Sequence, residues 1–417
     1  MRQTTRRGFL TQAAALSAPY FLTSAALGAG AKSAASDRVV CGAIGTGGRG
    51  MALLSMRNHP RCSIAAVCDV YGPHAARAQK AVGNCDVYTD FRRIIDRTDI
   101  DAVMTGTPDH WHALITILAC KSGKDVYCEK PLCRTLTEGR RMVETARKYG
   151  RVVQMGTQYR SMARTRQTCE WVRNGRLGTV HTVRMSHAPN RTAKITPPSS
   201  PPADLDWNLW LGPAPWAPYH PLRCLFNFRY WMDYGGGYIA DNGAHMFSVV
   251  SWAMGVDETG PVTVEATGQE NPENLYDVPV TMSVRYEFAD PKFVLTWEQP
   301  GVGGLNLQFI GDRATLSGFW DWGVIQGEAD LSPTHATEKH LRESNDHFAN
   351  WFDCIASRER PACDVAIGHR VTSLSHLGNI AYQLGRKLRW DPVAERFEGD
   401  DEANRLRHVS YREPWRL

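Results

Sequence analysis

The sequence predicts an α/β protein with two domains: a doubly wound parallel sheet, followed by an α/β domain with an open, mainly antiparallel sheet. The length of 417 residues suits two or three domains. Between residues 38 and 156, short strand-like runs alternate with helical patterns, which is typical of a parallel sheet. In the second part, 157–390, apolar residues recur with a period of two, which indicates strands with one buried face.

Composition excludes several classes of protein. With 43% hydrophobic and 22% charged residues, the chain is neither disordered, nor collagen-like, nor a coiled coil. The formal net charge is +5, but residues 1–31 hold three arginines and no acid. The remainder has 45 basic and 43 acidic residues, so the charge indicates no nucleic-acid partner.

The first 31 residues resemble a twin-arginine export signal. Arg6-Arg7 precedes Phe9-Leu10, a weakly apolar stretch and Ala29-Gly30-Ala31, which fits a cleavage site. We therefore expect the twin-arginine translocase as a partner during export, and a periplasmic or extracytoplasmic location. The alternative is a disordered basic tail or a short anchor. No other run of 18 apolar residues follows, so stable membrane insertion is not expected.

Eleven cysteines are unusual for an exported protein, because an odd number cannot all pair in an oxidising compartment. The twin-arginine route carries proteins that have already folded in the cytoplasm. Cys41, Cys68, Cys120 and Cys128 lie in apolar segments, and no C-x-x-C pair occurs. Most of the cysteines are therefore predicted to be core residues, and no metal site is expected.

The elements of the first domain follow one another as strand and helix. Its predicted strands cover residues 39–44, 63–68, 101–105, 125–128 and 152–155.

The second domain begins with a predicted helix at 165–174 and a strand at 180–188. A Pro- and Trp-rich stretch, 195–233, has no clear period and is long enough to be a candidate binding loop. Further strands are predicted at 278–288, 292–298 and 305–310, and the free face of their sheet is a candidate subunit interface of a homo-oligomer. Helices at 344–357 and 371–388 are predicted to pack on the first domain, and residues 391–417 to form a tail with a basic, solvated end from Arg405.

A dinucleotide site is predicted after the first strand. Gly45-Thr46-Gly47-Gly48-Arg49-Gly50 is a G-x-G-x-x-G motif between strand 39–44 and a helical run. Such a turn places phosphates at a helix N-terminus, as in the Rossmann fold. Asp69 ends the next strand, where a carboxylate would bind the ribose hydroxyls and repel a 2′-phosphate. We expect NAD rather than NADP, although Arg49 could soften that preference; the alternative is a glycine turn without a ligand.

Two further segments follow strands that end at the same edge of the sheet. Thr107, Pro108 and His112 follow the strand at 101–105, and Glu129 and Lys130 follow the strand at 125–128. We expect all five beside the cofactor. A cis bond to the next residue, a proline, can hold Lys130 toward the cleft, whereas an isolated lysine would usually be a surface residue.

Asp241 and His245 follow a Gly-Gly-Gly run and are four residues apart, so on a helix they share one face. A carboxylate beside an imidazole can orient it as a general base. Two alternatives remain. Asp241 could cap the helix while His245 is a core residue, or the two could bind a metal, although no third ligand is evident.

These motifs, in this order, resemble the Gfo/Idh/MocA family, which includes glucose-fructose oxidoreductase and inositol dehydrogenases. The similarity extends over about residues 38–390. It implies a Rossmann domain and an α/β domain with an open sheet. It also implies that Lys130 places the substrate and assists proton transfer, and that Asp241 and His245 form the base system.

The resemblance implies an NAD(P)-dependent oxidoreductase that acts on a secondary alcohol of a sugar, polyol or glycoside. An exported enzyme is expected to hold its cofactor tightly and to complete a redox-neutral cycle. The alternatives are an NAD-dependent glycosidase working by transient oxidation and elimination, and a non-catalytic sugar-binding protein. The sugar is not predicted. Candidate substrate contacts are Tyr159, Arg229 and Tyr230, while His220, Arg223 and Asn227 could bind sugar hydroxyls or only pack the loop.

Overall fold

The computed structural model describes residues 38–270, 272–301, 305–319 and 322–417. The export signal predicted at residues 1–31 lies outside the described residues. Among the residues that are described, every helix is too short or too polar to span a bilayer.

The first domain is built on a parallel sheet. Its strands in the described residues are β1 (Val39–Ile44), β2 (Cys62–Cys68), β3 (Asp86–Tyr88), β4 (Ala102–Thr105), β5 (Asp125–Cys128) and β6 (Val153–Met155). They lie in the order β3-β2-β1-β4-β5-β6, and all neighbours run parallel. This is the Rossmann order, as predicted. Strand β3 was not predicted, because this edge strand has three residues and none of them is buried.

The central strands β4 and β5 are buried along their whole length, as expected where helices cover both faces of a sheet. These helices are α1 (Gly48–Leu53), α2 (Gly72–Val82), α3 (Arg92–Ile95), α4 (Asp109–Lys121) and α5 (Leu136–Lys148). A capping box starts α5: the Thr135 side chain accepts from the Glu138 backbone N–H at 3.2 Å, and the Glu138 carboxylate accepts from the Thr135 N–H at 3.0 Å.

The second domain contains a larger sheet. Its elements are α6 (Ala163–Arg173), β7 (Val180–Ser186), α7 (Trp207–Leu211), α8 (Tyr238–Asp241), α9 (Gly243–Met254), β8 (Thr263–Gln269), β9 (Thr281–Ala289), β10 (Lys292–Glu298), β11 (Asn306–Gly311), β12 (Ala314–Gly318), β13 (Gly323–Gly327), α10 (His347–Ser357), α11 (Val365–Leu384), β14 (Leu388–Asp391), β15 (Arg396–Phe397) and α12 (Asp401–Arg405). In the described residues the strand order is β13-β12-β11-β7-β10-β9-β8-β14-β15.

The neighbours β7 and β10 run parallel, and the other described pairs are antiparallel, so the prediction of a mainly antiparallel sheet is confirmed. Alternate residues of β9 are buried, namely Met282, Val284, Tyr286 and Phe288. Their two-residue period in the sequence therefore identified the buried face.

The C-terminal helices join the two domains, as predicted. Helix α11 packs against α9 and β8 of its own domain and against α5 of the first domain. From α10, Trp351 and Phe352 enter the core of the first domain, where the Trp351 ring lies 5.7 Å from that of Tyr127. All eleven cysteines are free and ten are buried, so their prediction as core residues is confirmed.

Most residues from Arg405 onward are exposed, but the segment is anchored to the first domain, which the prediction of a solvated terminus did not include. Trp415 is only 8% exposed and packs against Phe91 and Trp111, with ring centroids 6.1 and 4.8 Å away. The Tyr411 hydroxyl donates to Glu138 at 2.6 Å. The basic composition of this segment concealed two aromatic side chains that anchor it to the first domain.

Candidate active site

A cavity of about 700 Å³ lies at the carboxyl edge of the first sheet. Segments that follow β1, β2, β4 and β5 line one side, and the loop 195–233 lines the other. Ligands of doubly wound sheets bind at this edge, where the strand order reverses between β1 and β4. The lining includes most of the predicted cofactor residues: Gly45, Gly47, Gly48, Arg49, Asp69, Thr107, Pro108, Glu129 and Lys130.

The glycine turn has the geometry that the motif predicts. Gly45 has a φ of +75°, and a Cβ there would lie 2.7 Å from the Thr107 nitrogen. Gly50 approaches the Gly45 carbonyl so closely that a side chain would collide with it. A Cβ on Gly48, in contrast, would meet no atom within 4 Å. The turn therefore presents bare backbone on its open side, while Gly50 lets α1 pack against β1.

Asp69 is fixed at the end of β2. Its carboxylate accepts from the backbone N–H groups of Thr46 at 2.7 Å and Tyr71 at 2.9 Å. The His74 Nδ1 lies 3.5 Å from the same carboxylate. Each carboxylate oxygen has further acceptor capacity, so the group can also bind ribose hydroxyls. These residues fit a bound NAD. The glycine turn at the start of α1 would hold its phosphates, and Asp69 at the end of β2 would hold its ribose hydroxyls.

Arg49 and Glu129 form an ion pair at the edge of the cavity. The Arg49 Nε donates to Glu129 at 2.7 Å, and Glu129 is only 3% exposed. Burial raises the pKa of Glu129, and the positive charge of Arg49 opposes that rise. Arg49 is thus held beside the glycine turn, where a cation favours phosphate groups.

Lys130 meets residues of the second domain. Its ammonium donates to the Asp241 carboxylate and to the Asp241 carbonyl oxygen, the latter at 3.2 Å. The Arg229 Nε donates to the other carboxylate oxygen at 2.9 Å. Burial acts to raise the pKa of Asp241, but Lys130 and Arg229 outweigh it and hold that pKa well below its usual range. The carboxylate is therefore ionised between two cations, and the Lys130–Pro131 bond is cis.

His245 lies in the first turn of α9, beyond Asp241. Its ring meets that of Tyr159 edge-on, with centroids 4.9 Å apart. Among the described residues its Nδ1 has no hydrogen-bond partner. Burial lowers the pKa of His245 well below 6.5, and the charge of Lys130 lowers it further, so the imidazole is neutral.

The predicted Asp241–His245 pair is therefore different in the structure. The Asp241 carboxylate accepts from Lys130 and Arg229, and in the described residues it makes no hydrogen bond to His245. Helix α8 ends at Asp241 and α9 begins at Gly243, with Asn242 between them in a helical conformation, and Lys130 and Arg229 bind the carboxylate in place of His245.

Three predicted site residues, His112, Tyr230 and Tyr159, are not part of the cavity lining. His112 contacts the carbonyl oxygens of Pro131 at 2.7 Å and Thr107 at 2.9 Å, which ties together the loops after β4 and β5. His112 is 1% exposed and outside the cavity lining, so it positions these loops; its predicted contact with the cofactor stays a prediction. The Tyr230 hydroxyl donates to Tyr238 and is 1% exposed. Tyr159 packs behind His245, and burial raises its pKa to about 12.

The loop 195–233 contains the short helix α7 and a 3₁₀ turn at Asn227–Tyr230 and is otherwise irregular. It has an aromatic core of its own that includes Trp210, Tyr219 and Trp231. Arg229 lines the cavity. Arg223 stacks 3.6 Å above Trp231 and so packs the loop.

Two features of the lining were not predicted from the sequence. Asp109 lines the cavity. The sequence does not point to this role, because an acid in the first turn of a helix is usually explained by its favourable interaction with the helix dipole. Phe226 and Phe228 also line it, within a stretch that has no periodicity to identify them. In the described part of the chain, no cluster of three or more His, Cys, Asp or Glu side chains has the arrangement of a metal site.

Two protein-family models match the chain. Residues 39–157 match "Oxidoreductase family, NAD-binding Rossmann fold", and residues 190–417 match "Oxidoreductase family, C-terminal alpha/beta domain". The chain belongs to the Gfo/Idh/MocA oxidoreductase family. Its first domain is the NAD-binding Rossmann domain of this family, in agreement with the glycine turn and Asp69.

Curated Gfo/Idh/MocA relatives are similar over part of their length. Levoglucosan dehydrogenase of Pseudarthrobacter phenanthrenivorans is 32% identical over 135 residues, which is 32% of this chain and 33% of that protein. Glycosyl hydrolase family 109 protein 1 of Shewanella sp. (strain MR-4) is 32% identical over 167 residues, 34% of this chain and 36% of that protein. The chain thus matches about a third of the length of these relatives.

A solved structure is similar over most of the chain. The WlbA dehydrogenase of Bordetella pertussis, in complex with NADH and UDP-GlcNAcA, superimposes with a TM-score of 0.63. It is 16% identical, and the match covers 85% of this chain and 99% of that one. This similarity shows the shared fold of both domains.

Proposed function

We propose that the protein oxidises a secondary alcohol of a sugar, polyol or glycoside, with NAD as the oxidant. The observation that carries the proposal is the group formed by Lys130, Asp241 and Arg229 where the two domains meet at the NAD cavity. His245 adds a neutral imidazole close enough to Lys130 for the ammonium to lower its pKa.

These residues suit alcohol oxidation. Lys130 and Arg229 outweigh the single charge of Asp241, so the group is net positive and stabilises a developing alkoxide. Neutral His245 is the base that takes the hydroxyl proton while the carbon gives up its hydride and becomes a carbonyl carbon. Bound NAD would supply the hydride acceptor. That Lys130 and His245 contact one substrate hydroxyl stays a prediction.

The test is NADH formation with a panel of alcohols: levoglucosan, myo-inositol, glucose and methyl glucosides. The wild type is expected to form NADH with at least one of them, and a Lys130→Ala/His245→Ala double variant that still binds NAD is expected to form none. If the wild type binds NAD but neither oxidises any alcohol nor reduces the corresponding ketone, the proposal is wrong.

A second candidate is an NAD-dependent glycosidase, favoured by the similarity to a glycosyl hydrolase family 109 protein. Such an enzyme oxidises the sugar transiently, eliminates the aglycone, adds water and returns the hydride. It would release nitrophenol from nitrophenyl glycosides without accumulating NADH, whereas a dehydrogenase would accumulate NADH and leave the glycosidic bond intact. A non-catalytic sugar-binding protein would do neither.

Export and a closed redox cycle belong to the same proposal. Arg6-Arg7 and the apolar stretch that follows favour transport of the folded protein by the twin-arginine route to an extracytoplasmic compartment. A freely exchanging cofactor would be lost there by dilution. The enzyme is therefore proposed to retain its NAD and to pass the hydride from one sugar to another, or back to the same one.

The outer face of the second sheet is the proposed site of self-association. Cross-strand ion pairs occupy it, with Arg184 3.3 Å from Glu298 and Arg285 3.6 Å from Glu265. A two-fold pairing of this face can exchange such partners between subunits. Light scattering should give the mass of an oligomer; a monomer at micromolar concentration would contradict it.

A further inference from the structure

Asp109 is a buried acid inside the cavity that the mechanism above does not use. It is the first residue of α4, it is 6% exposed, and it lines the cavity together with Lys130, Arg229 and Asp241. In the described part of the chain its carboxyl has no hydrogen-bond partner. Since buried polar groups are nearly always paired, its hydrogen bonds are available to a ligand.

Asp109 and Asp241 are in opposite protonation states. The charged and titratable groups that act on or near Asp109 are Asp241, Lys130, Arg229, Arg134 and Cys128. Burial and then the charge of Asp241 raise the pKa of Asp109 to about 8, although the three cations oppose the rise. Asp241 accepts two charge-assisted hydrogen bonds and stays ionised. Asp109 is therefore protonated at pH 7 beside an ionised carboxylate.

The position of Asp109 favours the substrate end of the cavity over the cofactor end. The largest charge effects on its pKa come from Asp241, Lys130, Arg229 and Arg134. Asp241 and Arg229 belong to the second domain and its loop, whereas Arg49 and Asp69, which flank the glycine turn, are not among these largest effects. A protonated carboxyl both donates and accepts a hydrogen bond, which matches a sugar hydroxyl.

We propose that Asp109 is a specificity-determining residue whose protonated carboxyl donates a hydrogen bond to an oxygen of the sugar, beside the oxygen that Lys130 holds. This inference rests on the proposed function. It assigns substrate binding, and no proton transfer, to Asp109. It also predicts a preference for substrates that carry a hydroxyl next to the reacting carbon.

The test compares Asp109→Ala with Asp109→Asn, which keeps a donor of similar shape but cannot titrate. Asp109→Ala should raise KM for the best sugar of the panel by about 10- to 100-fold, since a lost hydrogen bond in a buried site has this effect. Asp109→Asn should recover most of that affinity at pH 7. The NAD dissociation constant and kcat should change much less than KM.

The pH dependence of KM provides a second readout. Below about pH 8 the Asp109 carboxyl is protonated and can donate a hydrogen bond to the sugar. Above about pH 8 it is a carboxylate, which cannot donate one. KM of the wild type should therefore rise above pH 8, and KM of Asp109→Asn should not. Glu138→Gln is the matched control, because Glu138 is also a buried acid with a raised pKa but lies outside this cavity, and the rise in KM should persist in it.

Calorimetry of sugar binding to the NADH-loaded protein separates this inference from the proposed function. Equal sugar affinity of Asp109→Ala and wild type would overturn the role of Asp109 even if the wild type oxidises sugars. If the wild type turns over no sugar, the proposed function fails and the calorimetric comparison still decides Asp109. Absence of sugar binding by the wild type would overturn both.

Infrared difference spectra should show a protonated carboxyl at pH 6 that is missing in folded Asp109→Asn; its absence from the wild type would also contradict the inference.

Discussion

Asp241 determines the electrostatics of the cavity at the scale of single residues. Its carboxylate accepts from Lys130 and Arg229, so two cations are held at fixed positions around one anion. A flexible lysine would otherwise have many rotamers. The carboxylate therefore contributes by orienting Lys130, and not by a hydrogen bond to His245.

Replacing Lys130 should abolish most of the turnover. Lys130→Ala removes the ammonium that stabilises the alkoxide, and kcat should fall by about 10²- to 10⁴-fold. NAD binding, measured by fluorescence titration, should change little. Lys121→Ala, at the exposed end of α4, is the matched control and should leave kcat unchanged. A wild-type rate in Lys130→Ala would exclude the assigned role.

His245 should give no acid limb near its ordinary pKa. Because burial lowers that pKa well below 6.5, the imidazole stays neutral as pH falls through 6.5 and loses its function as a base only at lower pH. The profile of kcat/KM for alcohol oxidation should therefore be flat from about pH 6 to 7.5. An inflection near pH 6.5 that is lost in His245→Ala would contradict the buried, neutral state.

Asp69 should set the preference between NAD and NADP. Asp69→Ser removes a negative charge that repels a 2′-phosphate, and the NADP-to-NAD affinity ratio should rise by about tenfold or more. Asp69→Asn separates charge from shape, because it still accepts from the Thr46 N–H. Both variants should shift the ratio in fluorescence titrations; tighter binding of NADP than NAD by the wild type would show that Asp69 has another role.

The C-terminal segment shows how one element supports the cavity from outside. Trp415 packs behind Phe91 and Trp111, both of which line the cavity. Arg412 donates to the Gly212 carbonyl at 3.1 Å and so fastens the same segment to the loop 195–233. The end of the chain therefore joins two walls of the NAD cavity.

Trp415→Ala should weaken both the fold and cofactor binding. Loss of a buried indole from a terminal segment should lower the free energy of unfolding by about 1 to 3 kcal/mol, less than in a central core because the segment can detach. The NAD dissociation constant should rise by about threefold to tenfold as Phe91 and Trp111 lose their support. Trp216→Ala is the matched control, since Trp216 is 69% exposed. Equal effects of the two substitutions on urea melts and titrations would rule out this role.

At the scale of the whole molecule, the site exists only where the two domains meet. Lys130 belongs to the first domain, whereas Asp241 and His245 belong to the second. Helix α11 packs against α5 and thereby fixes the relative position of the domains. Because the Lys130–Asp241 contact crosses the domain boundary, the catalytic group depends on this packing.

The proposed closed cycle predicts that NAD remains bound during purification. Protein purified from the exported fraction without added nucleotide should contain stoichiometric NAD or NADH in mass spectra of the denatured sample. Its activity with two sugars, one oxidised and one reduced, should not increase on addition of millimolar NAD. Empty protein that turns over only with external NAD would indicate an ordinary dehydrogenase instead.

The sequence by itself determined the fold class and the cofactor edge of the sheet. Strand and helix periods, the glycine turn and the spacing to Asp69 are local patterns, and local geometry follows from neighbouring residues. The edge strand β3 was missed because three unburied residues have no detectable period.

Only the tertiary structure decided the roles within the site. The Asp241 carboxylate accepts from Lys130 and Arg229, which are 111 and 12 residues away in the sequence. His112 joins the loops after β4 and β5, and Asp109 acquires its raised pKa from burial among groups of both domains. Burial and charge at each of these positions depend on residues distant in the chain, and their contacts form only when the two domains pack together.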